Sequence, residues 1–286
     1  MTKLTWLPKK TFELEFSLPW EEVKTTYDKV LNDLVKEVKI EGFRQGKAPK
    51  TLVEKNVDKG KLYGEVINQL LPLSYAKLIA EHKLRPAVSP KITIISAEEN
   101  KPWQFKATSC ELPEIKLGDY QKICHGALAT AKFWTPDKGK IDAKKDKELT
   151  QTQKLNLISK ALLEETKIDL SDLLINDERD RLLSRLLDQI QKLGLNLDQY
   201  AVSNNKTVAQ IRQEYQATAT NTLKLELILQ AIAEDRKFKV EDKEVDQMIS
   251  AAGDEKLKKE LNTPTQRAYI GSILRKRQAI DYLIGL

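Results

Sequence analysis

The sequence predicts an α+β N-terminal domain, in which helices cover one face of a small antiparallel sheet, followed by an elongated, all-α C-terminal domain. Strict alternation of apolar and polar residues over residues 11–18 indicates a half-buried strand. Apolar residues at helical spacing dominate the chain from residue 149 onward. Between these parts, residues 119–148 contain glycines, a proline and a run of charged residues, which predicts a linker. We therefore expect domains at residues 1–118 and 149–286.

The first domain is predicted to alternate strands and helices. Its first strand has four apolar residues on one face, namely Phe12, Leu14, Phe16 and Leu18. Pro19 then starts a helix, a position where its missing N–H costs little. A second helix begins at Pro49 and a third covers about residues 61–81. Residues 91–95 and 103–107 have the composition of strands, which we expect to pair antiparallel with the first strand.

The second half is predicted to contain only helices and polar turns. Gly194 follows a leucine-rich stripe at a position suited to a helix C-cap. Capping boxes at residues 207–210 and 263–266 predict two further helix starts, the first opening a long helix to about Asp235. Such stripes usually form a core, but long helices in an open arrangement also leave apolar surface between them, which is typical of binding sites.

Composition and charge narrow the class of protein. The chain has 286 residues, 41% hydrophobic and 31% charged, with no apolar run long enough to span a membrane and no apolar segment typical of a secretory signal. Two cysteines exclude a disulfide framework, so we expect a cytoplasmic protein without membrane partners. Residues 1–118 contain 20 Lys and Arg against 16 Asp and Glu, whereas residues 149–286 contain 21 of each. This modest basic excess in the first domain favours approach to a polyanion.

A short segment between the first two predicted helices is the clearest candidate site. Two glycines and a proline interrupt the helices and place Phe43 beside the cationic side chains of Arg44 and Lys47. An aromatic ring among cations suits a phosphate-rich surface with an apolar crevice. The alternative is a tight turn between helices in which Phe43 folds back into the core.

The spacing of this segment resembles the signature of trigger factor, a bacterial chaperone family. Six residues match the pattern Gly-Phe-Arg-x-Gly-Lys-x-Pro, namely Gly42, Phe43, Arg44, Gly46, Lys47 and Pro49. Gln45 departs from the commonest form, which has lysine there. The resemblance implies that residues 42–49, Gln45 included, bind the large ribosomal subunit at the tunnel exit, through a ribosomal protein and nearby rRNA.

The helical half resembles the substrate-binding domain of the same family in the order of its segments, especially at residues 167–170 and 232–235. This resemblance implies that unfolded or nascent polypeptides are partners and that a homodimer off the ribosome is an open possibility. The apolar residues that we expect to contact substrates are Leu186, Ile190, Tyr215, Leu223, Leu227 and Ile273.

The family also has a peptidyl-prolyl isomerase domain between these two parts, and residues 119–148 are too few to form it. The resemblance therefore implies a chaperone without isomerase activity, with no catalytic residues and no cofactor. No phosphate-binding Gly-x-x-x-x-Gly-Lys-Ser/Thr motif occurs, which argues against an ATP-driven mechanism. The pair Cys124 and His125, with Cys110 fourteen residues away, lacks the doubled spacing of zinc ligands, so we predict no metal site.

Three alternatives stay open at this point. The chain could be a ribosome- or RNA-binding factor whose helical half is a closed bundle or a dimerisation module. It could be a free holdase or assembly chaperone that has left the ribosome. It could also retain isomerase activity, which turnover of a proline peptide would reveal.

Overall fold

The computed structural model describes residues 2–37, 43, 44, 46, 47, 49–133 and 150–286, with only the backbone given for residues 130–133. It divides into two compact units, Met1–Leu112 and Pro113–Leu286. The division therefore precedes the predicted linker. Residues 134–148, half of that linker, lie outside the described residues.

The N-terminal unit is the predicted α+β domain. Its elements, in chain order, are β1 (Lys3–Leu7), β2 (Thr11–Leu18), α1 (Trp20–Glu37), α2 (Lys50–Asn56), α3 (Lys59–Glu81), β3 (Lys91–Ser96) and β4 (Trp103–Cys110). The four strands form one sheet in the order β1-β2-β4-β3, and every neighbouring pair is antiparallel. The strands predicted at residues 11–18, 91–95 and 103–107 are confirmed, and β1 is an additional edge strand.

The core of this unit lies on the face of the sheet formed by the alternating residues of β2. Phe12, Leu14, Phe16 and Leu18 are all buried, while the residues between them are half-buried. Val30 of α1 and Leu62 of α3 belong to the same buried cluster. The helices thus cover the apolar face of a strand whose side chains alternate between two environments, as the period of two requires.

The C-terminal unit consists of eight helices in the part of the chain that the structure describes. They are α4 (Tyr120–Phe133), α5 (Gln151–Glu165), α6 (Asp172–Lys192), α7 (Leu197–Ser203), α8 (Val208–Asp235), α9 (Asp242–Ser250), α10 (Glu255–Leu261) and α11 (Pro264–Ile284). Helix α8 packs against α6, α11 and α5, and α4 packs against α5. The helical fold class is therefore confirmed.

Two predicted helix ends have the expected capping chemistry. The Thr207 side chain accepts a hydrogen bond from the Gln210 backbone N–H at 3.2 Å, and the Gln210 side chain accepts from the Thr207 N–H at 2.8 Å. This capping box satisfies two donors that lack helical partners at the start of α8. At the end of α6, Gly194 adopts φ +73°, the left-handed conformation that favours glycine after a helix.

The prediction of an irregular linker is wrong for residues 120–133, which form α4. Tyr120 and Cys124, one helical turn apart, are buried in the C-terminal unit. The Tyr120 hydroxyl donates a hydrogen bond to Asp235 Oδ2 at 2.7 Å and accepts one from Arg236 Nε at 2.8 Å. The stripe is short and Gly126 interrupts it, so packing against α5 and α8, and not intrinsic propensity, stabilises this helix.

Candidate functional site

The candidate site lies between α1 and α2, and buried contacts hold α2 against α1. Val53 is fully buried in the core of the N-terminal unit. The Tyr27 hydroxyl of α1 donates a hydrogen bond to Glu54 Oε1 of α2 at 2.8 Å. Burial of the phenol raises the pKa of Tyr27, and the hydrogen bond to the Glu54 carboxylate raises it further. The segment between the helices therefore ends at a firmly packed helix.

The described residues of the segment point into solvent. Phe43 is 40% exposed and is absent from the core cluster, so the alternative in which its ring folds back into the core is wrong. Arg44 and Lys47 are exposed, and the Lys47 backbone N–H donates to the Arg44 carbonyl oxygen at 2.9 Å. Pro49 is exposed and forms the N-cap of α2 with an extended backbone (φ −60°, ψ 140°). Gly42 and Gln45 lie outside the described residues.

The turn across residues 44–47 requires a glycine. Gly46 adopts φ +79°, and among the described residues a Cβ at this position would lie near only the Lys36 backbone, at 3.7 Å, which is ordinary contact. The requirement is therefore conformational, because a side chain in this left-handed region costs about 1–2 kcal/mol. The glycine lets the chain reverse within four residues and keeps Arg44 and Lys47 on one short turn.

Substituting Gly46 with alanine should therefore lower the free energy of unfolding of the N-terminal unit by about 1 kcal/mol. Gly64 provides a matched control because it lies within α3 with no atom near its missing Cβ. Gly64→Ala should raise the stability by about 0.5–1 kcal/mol. Urea denaturation of the two variants measures both effects, and two changes of the same sign would contradict this account of Gly46.

The cations of this segment, Arg44, Lys47 and the following Lys50, are all exposed. Among the described residues, neither Arg44 nor Lys47 forms an ion pair. Lys50 is exposed in the first turn of α2, which contains no acidic residue. A cation at this end of a helix is unfavourable for the helix dipole, so the arrangement does not serve the stability of α2.

Sequence reasoning missed Lys50 and Leu52 as neighbours of the candidate site. Leu52 is exposed although the next residue, Val53, is fully buried. Adjacent residues on a helix point about 100° apart, so the buried position of Val53 turns Leu52 toward solvent. The exposed set on this segment and the start of α2 comprises Phe43, Arg44, Lys47, Lys50 and Leu52, which we call the basic-aromatic surface.

Three of the six residues expected to contact substrates are buried, which corrects that prediction. Leu186 and Ile190 are 5% and 2% exposed and belong to the same core cluster of the C-terminal unit, and Leu227 is also buried. A buried side chain contributes to the core and offers no surface to a polypeptide. The other three, Tyr215, Leu223 and Ile273, are half-buried.

The apolar residues that the C-terminal unit does expose lie elsewhere, at helix ends and on short helices. The large ones are Leu193, Val202, Met248, Leu257 and Tyr269. By its spacing from Ile190, Leu193 belongs to the leucine-rich stripe in the sequence, but it is the C-cap residue of α6 and is 75% exposed. Scattered exposure of this kind is common on protein surfaces and does not by itself define a site.

The described residues hold no cluster of three or more His, Cys, Asp and Glu side chains that could bind a metal ion. Cys110 and Cys124 are both buried, and burial raises the pKa of the Cys124 thiol to about 11. A thiol with this pKa is inert as a nucleophile at neutral pH. Within the same described ranges, no helix is both long enough and apolar enough to cross a membrane.

The described chain thus consists of an α+β unit that carries the exposed basic-aromatic surface and, after it in sequence, a helical unit. Comparison with known families agrees with it. The model described as "Bacterial trigger factor protein (TF)" matches residues 2–130, and that described as "Bacterial trigger factor protein (TF) C-terminus" matches residues 138–285. The chain belongs to the trigger factor family of chaperones. Only residues 131–137 separate the two matches, so no isomerase domain lies between them.

Individual relatives each match less than half of this chain. The chain is 36% identical to the trigger factor of Pelotomaculum thermopropionicum over 117 residues, which cover 41% of this chain and 27% of that protein. It is 38% identical to the trigger factor of Carboxydothermus hydrogenoformans over 120 residues, which cover 42% and 28%. The matched part thus spans little more than a quarter of the length of these relatives.

A solved structure shows a similar fold over the whole chain. It is described as "Promiscuous Substrate Recognition in Folding and Assembly Activities of the Trigger Factor Chaperone" and has a TM-score of 0.58. The similarity covers 100% of this chain and 99% of that chain at 13% sequence identity. At this identity the likeness concerns the fold alone.

Proposed function

We propose that this protein is an ATP-independent cytoplasmic chaperone that docks at the exit of the ribosomal tunnel through residues 42–49. The observation that carries the proposal is the exposed Phe43 beside two exposed cations that pair with no carboxylate of the described residues, on a turn that ends at a firmly packed helix. An aromatic ring can fill an apolar crevice of a ribosomal protein or stack on a base, while Arg44 and Lys47 contact phosphates. The family to which the chain belongs supports the same partner.

Within this proposal the remaining residues of the segment have distinct roles. Gly46 shapes the turn, Pro49 starts α2, and Lys50 and Leu52 extend the docking surface along that helix. Gly42 and Gln45 complete the segment in the sequence. Gln45 stands where the commonest form of the family has lysine. We expect docking to be only modestly weaker than with lysine there, since the Phe43 ring and the other cations remain.

The helical unit would hold apolar segments of nascent chains while they fold. Its half-buried Tyr215, Leu223 and Ile273 and its exposed apolar side chains are the contacts that we propose. A contact of a few hundred Å² gives several kcal/mol at about 25 cal/mol per Å² before the costs of association, which suits weak, reversible holding. We propose no catalytic residue and no cofactor, and a homodimer off the ribosome as a further state.

Co-sedimentation with ribosomes at low and high salt tests the docking proposal. The variant with Phe43→Ala, Arg44→Ala and Lys47→Ala should bind ribosomes about 10- to 100-fold more weakly, because a central aromatic and two charged contacts are lost. The affinity of the intact chain for ribosomes should also fall as the salt concentration rises, because protein cations that bind rRNA phosphates release counterions from the RNA.

The matched control removes one apolar residue and two cations elsewhere on the same unit, through Leu73→Ala, Arg85→Ala and Lys61→Ala, all at exposed positions. It should pellet with ribosomes like the intact chain. If both triple variants lose binding equally, general charge and not the basic-aromatic surface carries the interaction. If neither loses binding, residues 42–49 are not the docking element.

The burial of Leu186, Ile190 and Leu227 also favours a second candidate, a ribosome-binding factor with a closed helical bundle and no chaperone activity. Binding of a dye that reports apolar surface separates the two candidates. Strong dye binding that an unfolded polypeptide displaces supports the chaperone, whereas weak binding supports the closed bundle.

A further inference from the structure

A cavity of about 440 Å³ lies in the C-terminal unit between the end of α8, the turn that follows it, and α11. Ala233 and Phe238 contribute its apolar lining. The charged side chains that line it are Glu234 from α8, Lys237 and Lys239 from the turn, and Arg275 and Lys276 from α11. Its volume falls in the range of sites that bind one or a few side chains.

Positive charge is concentrated in this cavity. Four cations face a single carboxylate, although residues 149–286 as a whole contain equal numbers of basic and acidic residues. Lys276 lies 3.8 Å from Glu226, a residue outside the lining. In the part of the chain that the structure describes, Lys237, Lys239 and Arg275 have no ion pair. The site therefore holds uncompensated cations that an anionic group could neutralise.

The aromatic wall of the cavity is held by its own contacts. The Phe238 ring packs edge-to-face on Tyr282 with 5.9 Å between ring centroids, and the Arg236 guanidinium lies 4.7 Å from the centre of the Tyr282 ring. The Lys239 carbonyl oxygen accepts a hydrogen bond from Gln278 Nε2 at 3.5 Å. The wall is thus formed before any ligand arrives, which lowers the entropic cost of binding.

The backbone of the turn places Lys237 in a conformation that favours glycine. Lys237 has φ +54°, its N–H donates to Glu234 O at 3.1 Å, and the Phe238 N–H donates to Ala233 O at 3.0 Å. These two bonds form a Schellman motif, in which the left-handed residue is usually glycine. Lysine is strained in this left-handed region, and the motif fixes the backbone from which the Lys237 side chain reaches the cavity.

We infer that this cavity binds acidic-apolar segments of unfolded polypeptides. An apolar side chain of the segment would contact Phe238, and a neighbouring Asp or Glu carboxylate would lie among Lys237, Lys239 and Arg275. The inference rests on the proposed chaperone function and deepens it by giving the helical unit a preference among client sequences. A polynucleotide fits less well, because it needs a track of cations along several phosphates, and residues 149–286 as a whole carry no net positive charge.

Fluorescence anisotropy with the full chain tests this preference. The probes are two fluorescein-labelled 12-residue peptides with a central Phe-Glu-Glu-Leu or Phe-Gln-Gln-Leu sequence. The acidic peptide should bind about 10-fold more tightly than the neutral one, because only its carboxylates can form charge-assisted hydrogen bonds with these cations. Arg275→Gln and Lys237→Gly should each reduce the ratio of the two affinities by about 3- to 10-fold.

Lys83 provides a matched control for Lys237→Gly. It follows α3 in the same Schellman geometry, with φ +54°, its N–H bonded to Ala80 O and the Leu84 N–H bonded to Ile79 O. Lys83→Gly removes the same charge and relieves the same backbone strain in the other unit. It should leave the ratio of the two affinities unchanged, and both glycine variants should remain folded.

The outcomes separate this inference from the proposed function. If both peptides bind equally while the chain still suppresses aggregation of a guanidinium-denatured enzyme, the inference is overturned and the chaperone proposal stands. If the chain neither binds peptides nor suppresses aggregation, the chaperone proposal fails and the inference falls with it. A 15-residue oligouridylate could also compete with the acidic peptide for the cavity. If it displaces the peptide from the intact chain, and does so more weakly in Arg275→Gln, the inference is overturned in favour of a polyanion site.

Discussion

Replacing Trp103 with alanine should lower the free energy of unfolding of the N-terminal unit by about 3–5 kcal/mol. The side chain is 1% exposed at the start of β4, and its ring lies 5.3 Å from the Tyr63 ring and 6.4 Å from the Phe105 ring. Its Nε1–H also donates to the Glu98 carbonyl oxygen at 3.1 Å. The substitution therefore opens a large cavity in the aromatic core and removes a hydrogen bond at the same time.

Trp6 is the matched control for this substitution. It lies on the edge strand β1, is 49% exposed, and contacts Phe12 with 5.6 Å between ring centroids. Trp6→Ala should cost no more than about 1.5 kcal/mol, because only part of its surface leaves water on folding. Urea denaturation followed by far-UV circular dichroism, with hydrogen exchange to assign each transition to a unit, measures both. Equal losses for the two variants would mean that the aromatic cluster does not dominate this core.

The strands of the sheet could be predicted where apolar and polar residues alternate along the sequence. In β2 every second residue is apolar, and the register pairs Phe16 with Phe105 and Leu18 with Trp103, so the two central strands place their large residues on one face. Strict alternation of large apolar and polar residues is compatible with few structures other than a half-buried strand. The edge strand β1 has no such contrast, because Trp6 and Leu7 are both exposed, and pairing with β2 alone makes it a strand.

The short helices α7 and α10, and also α4, could not be predicted because tertiary contacts decide them. Helices α7 and α10 contain seven residues each, too few for a periodic pattern to stand out. Helix α4 is stabilised by contacts more than a hundred residues away, such as the Tyr120 hydrogen bonds to Asp235 and Arg236. A pattern within one segment does not contain this information.

The candidate site was predicted better in its chemistry than in its exposure. The spacing of glycines, aromatic and cations identified the segment, but the composition left the direction of Phe43 open. The structure decides it through the neighbours, since Val53 and Tyr27 fill the contacts between α1 and α2 and leave the Phe43 ring outside the core. For the helical unit, buried residues were predicted to be substrate contacts. Helical periodicity alone does not distinguish a face that packs in the core from a face that binds a partner.

The strongest test that Ile190 belongs to the core and not to a substrate-binding face is Ile190→Ala. This substitution should lower the free energy of unfolding of the C-terminal unit by about 2–5 kcal/mol. Ile190 is 2% exposed in α6 and packs in a cluster with Leu186, Ala201 and Ile211, so its truncation leaves a cavity. Leu193, three residues later and 75% exposed, is the matched control. Leu193→Ala should change stability by less than about 0.5 kcal/mol.

The same pair of variants separates a core residue from a substrate contact. At a temperature where Ile190→Ala remains folded, its capacity to suppress aggregation should equal that of the intact chain, because the buried side chain contacts no client. Leu193→Ala should instead lose part of this capacity while its stability stays unchanged, if exposed apolar side chains hold clients. A folded Ile190→Ala variant with weakened aggregation suppression would restore Ile190 as a substrate contact and would require the helical unit to open when it binds a client.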